Sequence, residues 1–335
     1  MKDLSKKYYT QLLELIDSGK YEEARVVGTR LISRLDEFDQ NEELEILNLI
    51  AIAYQKLGQL SNAANLLEGA FNSIDIDDNK IDKEILYVTL SNLSSIYKSL
   101  GRYSDASEIL ERILNDDDFV EISAEKDNWA LMSNLAAIYS DMGDYHKSIH
   151  LLESIVDSAI ENLDENDSSL LIYRSNLAMS YAQVDKLSYA KDIIEGILEK
   201  YINKFGPKHP STNNIRYNYA LILKKMGKYE EAASIMEESL YNETENFGDL
   251  HPNVALMLSN LAAVYVDLGR YNEGTQLLEK ALVVQRSVLG EEHPSVGNTY
   301  VRLAILNLNL GEKKKAQNLL KKAKEILSNS YDSDH

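Results

Sequence analysis

The sequence predicts an all-α solenoid of about eight helical hairpins, and three observations carry that prediction. Gly19, Gly58, Gly101, Gly143, Gly227, Gly269 and Gly311 each end an apolar-periodic segment, and from Gly101 onward they recur every 42 residues, or at twice that interval where Asp185 takes glycine's place. Five residues after each marker the side chain is small: Ala24, Ala63, Ala106, Ser148, Ala190, Ala232, Gly274 and Ala316. Four residues before it stands Tyr54, Tyr97, Tyr139, Tyr181 or Tyr265, with Leu15, Leu223 and Asn307 in the remaining copies. Self-similarity at such a period is the signature of stacked supersecondary units.

The hairpins follow in chain order. The first, 2–36, turns at Gly19, and Tyr21 and Ala24 open its second helix; the second, 41–75, turns at Gly58, and the third, 84–117, at Gly101. The fourth, 126–160, shows the physics most plainly. In Ser133-Asn134-Leu135-Ala136-Ala137-Ile138-Tyr139, followed by Met142, the apolar positions recur at helical spacing, and Gly143 can take the left-handed conformation that closes a helix. Ser148 lets the second helix approach closely, and Leu152 and Ile155 continue the inward stripe. Trp129 opens this hairpin and is expected to pack on the preceding repeat, where its indole reports local unfolding. The fifth, 168–202, turns at Asp185. The last three, 210–244, 252–286 and 294–328, open with Pro210, Pro252 and Pro294, at a position where a missing N–H costs nothing. No helix can bury its apolar face alone, so residues 1–335 read as a single array stabilised by nearest-neighbour interfaces.

Composition excludes several classes. With 44% apolar and 27% charged residues the chain folds, and 335 residues exceed what one ordinary core holds. A net charge of -19 repels phosphate backbones and anionic lipid, which argues against nucleic acid and membrane surfaces as partners. Zero cysteines rule out a disulfide framework, thiolate metal sites and a cysteine nucleophile. No apolar run approaches the ~20 residues that span a bilayer, and Met1-Lys2-Asp3-Leu4-Ser5-Lys6-Lys7 leads into an amphipathic stretch, so the expected location is cytoplasmic.

The order Asn-Leu-small, Tyr, Gly-x-Tyr and Ala resembles the tetratricopeptide repeat, whose usual period is about 34 residues. Here the links are longer and include Phe205-Gly206-Pro207-Lys208-His209-Pro210, Phe247-Gly248-Asp249-Leu250-His251-Pro252 and Leu289-Gly290-Glu291-Glu292-His293-Pro294. A 42-residue repeat with such a link is similar to the kinesin-light-chain type of tetratricopeptide repeat, closely over 126–328 and more weakly before, where the links are acidic. No coiled-coil heptads flank the array, so the resemblance is to the repeat module and not to the motor subunit. It implies a right-handed superhelical α-solenoid whose first helices line a concave groove, acting as a non-catalytic protein- or peptide-binding adaptor or scaffold. Two other roles stay open: a peptide-responsive regulatory receptor of a second protein, and an accessory subunit of an enzyme or a helical-repeat enzyme. The array is expected to be a monomer or a weak homo-oligomer, without cofactor.

The candidate site residues lie on first helices. Asn92, Asn134, Asn176, Asn218 and Asn260 stand nine residues before each marker, and Ser91, Ser133, Ser175 and Ser259 precede four of them. The resemblance implies that such asparagines can bind an extended peptide's backbone, for which an amide offers both donor and acceptor. The other reading is that they bond neighbouring repeats. Six residues before each marker stand Ile52, Ser95, Ala137, Met179, Leu221 and Ala263, with no Asn among them. Members of the resembling family that clamp the carboxylate terminus of heat-shock chaperones place Asn there, so that client is disfavoured. Lys98, Tyr217, Lys224 and Lys225 add charge and stacking, pointing to a peptide with some acidic character. The last hairpin is basic through Lys313, Lys314, Lys315, Lys321, Lys322 and Lys324, which reads as the solvated face of a cap or a dock for an acidic surface.

Metal chemistry finds no support in the pattern. His209, His251 and His293 sit at equivalent positions of stacked hairpins, on the order of 10 Å apart, against Zn–N bonds of about 2 Å. His146 and His150 lie one turn apart without a surrounding H-E-x-x-H. A calcium loop counted from Asp75 would need Gly and Glu where Lys80 and Leu86 stand. Asp75, Asp77, Asp78 and the run Asp116-Asp117-Asp118 read instead as a solvated acidic edge.

Overall fold

The computed structural model describes residues 2–73, 81–122 and 124–331, and among these every regular element is a helix. The chain forms two compact units, 1–162 and 163–335. In the first, α1 (Lys2–Asp17) pairs with α2 (Tyr21–Ile32), α3 (Gln40–Lys56) with α4 (Leu60–Ser73), α5 (Lys83–Ser99) with α6 (Tyr103–Leu114), and α8 (Glu125–Asp141) with α9 (Tyr145–Asn162). A short helix, α7 (Asp117–Ile122), stands between the third and fourth pairs. In the second unit the pairs are α10 (Ser168–Gln183) with α11 (Leu187–Phe205), α12 (Pro210–Lys225) with α13 (Tyr229–Phe247), α14 (Pro252–Asp267) with α15 (Tyr271–Leu289), and α16 (Pro294–Asn309) with α17 (Lys313–Tyr331).

Each turn between paired helices is built as the spacing requires. Gly143 sits at φ 81°, and the Asp144 N–H reaches back to the Tyr139 carbonyl at 2.8 Å, satisfying an acceptor that α8 leaves open. Asp185 adopts φ 59° in the same role, the one left-handed non-glycine among the described residues. The small residues beyond the turns are where paired helices meet: Ala24, Ala63, Ala106, Ser148, Ala190, Ala232 and Ala316 are all 0% exposed. At Gly274 even a Cβ would come within 3.3 Å of the Ala262 carbonyl oxygen.

A tyrosine–glutamate bond repeats at the seams between hairpins. Tyr97 donates to Glu68 at 2.6 Å, Tyr139 to Glu111 at 2.5 Å and Tyr265 to Glu237 at 2.5 Å, each glutamate lying ten residues after the preceding marker. Where Leu223 replaces that tyrosine, Tyr219 reaches Glu195 at 2.7 Å from one turn earlier. Burial, helped by the carboxylates, pushes the Tyr97 and Tyr265 phenols up to about 12. Arg102 and Arg270 lie over the same two rings at 3.9 and 4.0 Å. Bonds to a charged acceptor are worth ~1.5–3 kcal/mol each, so the tyrosines hold successive hairpins in register as well as filling space.

The His-Pro links start helices in a way that residue preferences do not announce. The prolines take the first helical turn, and the Nδ1 atoms of His209, His251 and His293 accept the backbone N–H of Ser211, Asn253 and Ser295 at 3.2, 3.3 and 3.1 Å. This is the bond that Ser, Asp or Asn makes at other N-termini, as Asp39, Asp82 and Asp167 do here. Only the unprotonated nitrogen can accept. Burial holds His293 below its ordinary value, favouring the neutral ring in the folded chain. Its stabilising contribution is therefore complete above the unfolded value of ~6.5 and lost as pH falls through the lower folded value. We expect His293→Ala to cost the second unit about 1 kcal/mol at pH ~8, and His293→Asn to keep the cap while removing this acid loss, in urea titrations followed by circular dichroism.

The acidic links are only partly described, since Asp75, Asp77, Asp78 and Lys80 lie outside the described residues. At the other link Asp117 and Asp118 are exposed, as a solvated edge requires, and the run also has a local structural part. Asp117 and Asp118 form the first turn of α7, where carboxylates favour the helix dipole, and the Asp116 side chain accepts the Asp118 N–H at 3.0 Å. Phe119 follows into the core, 5% exposed, against Tyr87 of α5.

Candidate functional site

The first helices of the second unit present a run of adjoining recesses. Between α10, α12 and α14 lies a cleft of about 340 Å³ lined by Met179, Gln183, Leu221, Lys224, Lys225 and Asp267. The next, about 270 Å³, shares Lys224 and Asp267 with it and adds Asn260, Ala263, Arg302 and Ile305. A third, about 220 Å³, shares Ser259 and Arg302 with the second and runs between Leu256, Val284, Val288 and Leu289. Shared walls make the three one groove across four successive first helices. Its floor is Met179, Leu221, Ala263 and Ile305, which stand six residues before successive markers. Ile305 is 51% exposed and Leu256 56%, so the groove offers apolar surface to a partner.

The asparagines nine residues before the markers turn their amides toward neighbouring hairpins. Asn92 donates to the Asn48 oxygen at 3.1 Å, and Asn48 donates to Thr89 at 2.6 Å. Asn218 donates to the Ser175 hydroxyl at 3.3 Å, and Asn260 donates to the Tyr217 hydroxyl. Every bond between first helices crosses one repeat, because equivalent positions stack about 10 Å apart and an amide plus a hydroxyl closes that distance. Asn134 differs: it is exposed and makes no hydrogen bond among the described residues. Asn176 is also exposed. We expect Asn260→Ala or Asn92→Ala to cost about 1 kcal/mol in chemical denaturation, and Asn134→Ala to stay within about 0.5 kcal/mol of the parent.

The other candidates divide in the same way. Ser175 and Tyr217 are buried, 3% and 7% exposed, so neither offers the groove surface expected of it; Tyr217 packs in the core and Ser175 accepts from Asn218. Burial pushes the Tyr217 phenol up to about 12 against the opposing effects of the Asn260 bond and the Arg302 charge. Ser91 and Ser133 are half-buried, and Ser91 and Asn92 line a separate cavity of the first unit. Lys98 pairs with Asp141 at 3.5 Å and Lys224 with Asp267 at 3.4 Å, so both lysines meet a carboxylate from the next first helix.

Sequence reasoning missed Arg302. It stands nine residues before Gly311, where five preceding copies have asparagine, and that departure was the available signal. The side chain is exposed and forms no ion pair among the described residues; one N–H reaches the Ser259 carbonyl at 3.3 Å. It lines both the second and third clefts. A guanidinium there can take a carboxylate in the plane of its fork.

No helix among the described residues is long and apolar enough to cross a membrane. No curated protein matches the sequence significantly. Among solved structures, the Podosopora anserina putative kinesin light chain with nearly identical TPR-like repeats shares 24% identity, with 59% of this chain and 94% of that chain covered and a TM-score of 0.50. A Rap protein complexed with Competence and Sporulation Factor shares 11% identity, with 98% and 99% covered and a TM-score of 0.60. NprR in complex with its cognate peptide NprX shares 18%, with 80% and 73% covered and a TM-score of 0.54. At such identities the likeness is one of fold. Two tetratricopeptide-repeat models match the sequence directly, one at residues 211–266 and 253–329 and the other at 88–115 and 130–167, together more than half of the chain. With the hairpin stack and the 42-residue spacing already in place, the chain belongs to the tetratricopeptide-repeat family, its array resembling the kinesin-light-chain type.

Proposed function

We propose that the chain is a binding scaffold that takes up a protein segment or peptide along the first-helix groove of residues 163–335. The observation that carries this reading is the sharing of walls by three clefts, which gives an open, apolar-floored channel suited to an extended or helical segment. NprR, of like fold, was solved with its cognate peptide NprX, so a stack of this kind accommodates a peptide. Client apolar side chains would lie on Met179, Leu221, Ala263 and Ile305. With Lys98 and Lys224 already paired, acidic character in the client is read by Arg302 and Lys225. Within this groove Asn176, exposed on α10, is the asparagine we assign to client backbone contact, and a cytoplasmic setting fits a chain without cysteine.

The test is to pan the immobilised protein against a random dodecapeptide library and carry the winners to Ile305→Asp, a substitution at an exposed position. Enriched peptides should combine apolar residues with a carboxylate and lose at least about tenfold in affinity on the variant, since a charge then faces their apolar side chains. Equal binding to both proteins would place recognition elsewhere.

A further inference from the structure

The first unit holds a cavity of opposite character. It measures about 420 Å³ and lies between α5, α7 and α8, lined by Glu84, Tyr87, Val88, Phe119, Asp127 and Ala130 among others. It exists because α7 departs from the repeat: Phe119 enters beside α5 and meets the Tyr87 ring edge-on, centroids 5.1 Å apart at 78°. The two rings, each 5% exposed, make an aromatic wall. Val88, 52% exposed, and the exposed Ala130 make an apolar mouth.

Charge is one-sided. Glu84 comes from α5 and Asp127 from α8, both exposed, and neither carboxyl group makes an ion pair or hydrogen bond among the described residues. No Lys, Arg or His lines the cavity among those residues. Of the two basic neighbours in sequence, Lys83 is held by Asp118 at 3.4 Å, and Lys126, beside Asp127, is exposed and does not line the cavity. Burial, with Asp116 and Asp118 adding negative field, pushes the Tyr87 phenol up to about 12. A recess with two uncompensated carboxyl groups, aromatic faces and an apolar mouth matches one common side chain: a flat cation on an aliphatic stem.

We propose that this cavity receives an arginine side chain presented by a partner peptide. The guanidinium lies over the Tyr87–Phe119 wall with its edge donors directed to Glu84 and Asp127, and the stem and flanking apolar residues rest on Val88, Ala130 and Leu131. Arginine fits better than lysine because its plane can stack on a ring while its edge serves two carboxylates, and it loses hydration more readily. The volume falls in the ~300–1,000 Å³ range of ligand sites and leaves room beside one side chain for a neighbouring residue. This site is separate from the groove of the second unit and of contrary sign, so it stands or fails independently of the function proposed above.

The experiment uses the full chain with ¹³C-labelled Val, Leu and Ala methyl groups, titrated with acetyl-Leu-Arg-Leu-amide and with the same peptide carrying citrulline or lysine. The arginine peptide is expected to shift the Val88, Ala130 and Leu131 methyl signals saturably, with the citrulline peptide at least about tenfold weaker, because citrulline keeps the shape and loses the charge. Glu84→Gln/Asp127→Asn should weaken the arginine peptide by a similar factor with the chain still folded, the loss of two first-turn carboxylates costing Tm only a few degrees. Lysine binding as well as arginine would overturn the planar recognition. Equal shifts with citrulline, shifts insensitive to the double variant, or no saturable shift at these methyl groups would each overturn the site.

Discussion

Arg302→Glu is expected to weaken peptides selected on the second unit's groove by about a hundredfold, or ~2.7 kcal/mol, while the folded stability of the chain stays within about 0.5 kcal/mol. The side chain stands where the second and third clefts meet, so a client that occupies either must pass its guanidinium. Nearby Lys224 is neutralised by Asp267, which leaves Arg302 and Lys225 as the lining cations not engaged by a carboxylate among the described residues. Reversal removes an attraction and adds a repulsion; Arg302→Lys keeps the charge but not the fork, and should cost about tenfold. The fold should hardly respond, because the side chain is exposed and its bond to the Ser259 carbonyl is a 3.3 Å contact. Anisotropy titrations of a labelled peptide across ionic strengths give the readout. Wild-type-like binding by Arg302→Glu would remove the carboxylate from the proposed client.

Ile50→Ala is expected to destabilise the first unit by about 2–5 kcal/mol, and adding Gly28→Ala should recover part of that loss although Gly28→Ala alone destabilises. Ile50 is fully buried on α3, and Gly28 on α2 faces it: a Cβ at Gly28 would stand 2.6 Å from Ile50 Cγ1 and 3.1 Å from Cδ1. A branched side chain stiff at χ1 cannot swing aside, so the overpacking cost of ~1–3 kcal/mol exceeds the ~1 kcal/mol that alanine gains over glycine in a helix. Once Ile50 is cut back, the same methyl group enters vacated space and the helix preference is felt. The three variants in urea titrations, read through Trp129 fluorescence, determine the coupling. Simple additivity would mean that α2 shifts to relieve the contact.

The fold was legible because it rests on features that a sequence states outright. A glycine that must be left-handed, a small residue where two axes meet and a tyrosine four positions earlier are fixed by local geometry, and their spacing survives even where Asp185 replaces glycine. The site was less legible because one residue type served two ends. Asn134 and Asn260 occupy the same place in the repeat, yet one faces solvent and the other bonds Tyr217; Ser91 precedes Asn134 at the offset at which Ser175 serves Asn218, so residue type and spacing do not decide which asparagine is bonded. Lys98 and Lys224 look like free charges in the sequence, because Asp141 and Asp267, which pair with them, stand 43 residues further along the chain. The histidine caps escaped for another reason: imidazole is not among the usual capping groups, although its Nδ1 lies at the right distance from the second N–H of the helix. At α7 the acidic run signalled solvation, while Phe119, two residues on, was the clue that the chain turned inward.

The tyrosine–glutamate seams carry a consequence for how this groove could change length. Because Tyr139 and Glu111, or Tyr265 and Glu237, occupy fixed offsets, a hairpin removed or inserted whole leaves a matching pair at the new junction. Excising the 42 residues of the Gly227 repeat would bring Tyr265 opposite Glu195, which now serves Tyr219. Recognition surface in this chain is thus quantised: it can be shortened or extended by one hairpin, with one apolar floor residue and one edge residue per step, without redesigning the joints that hold it.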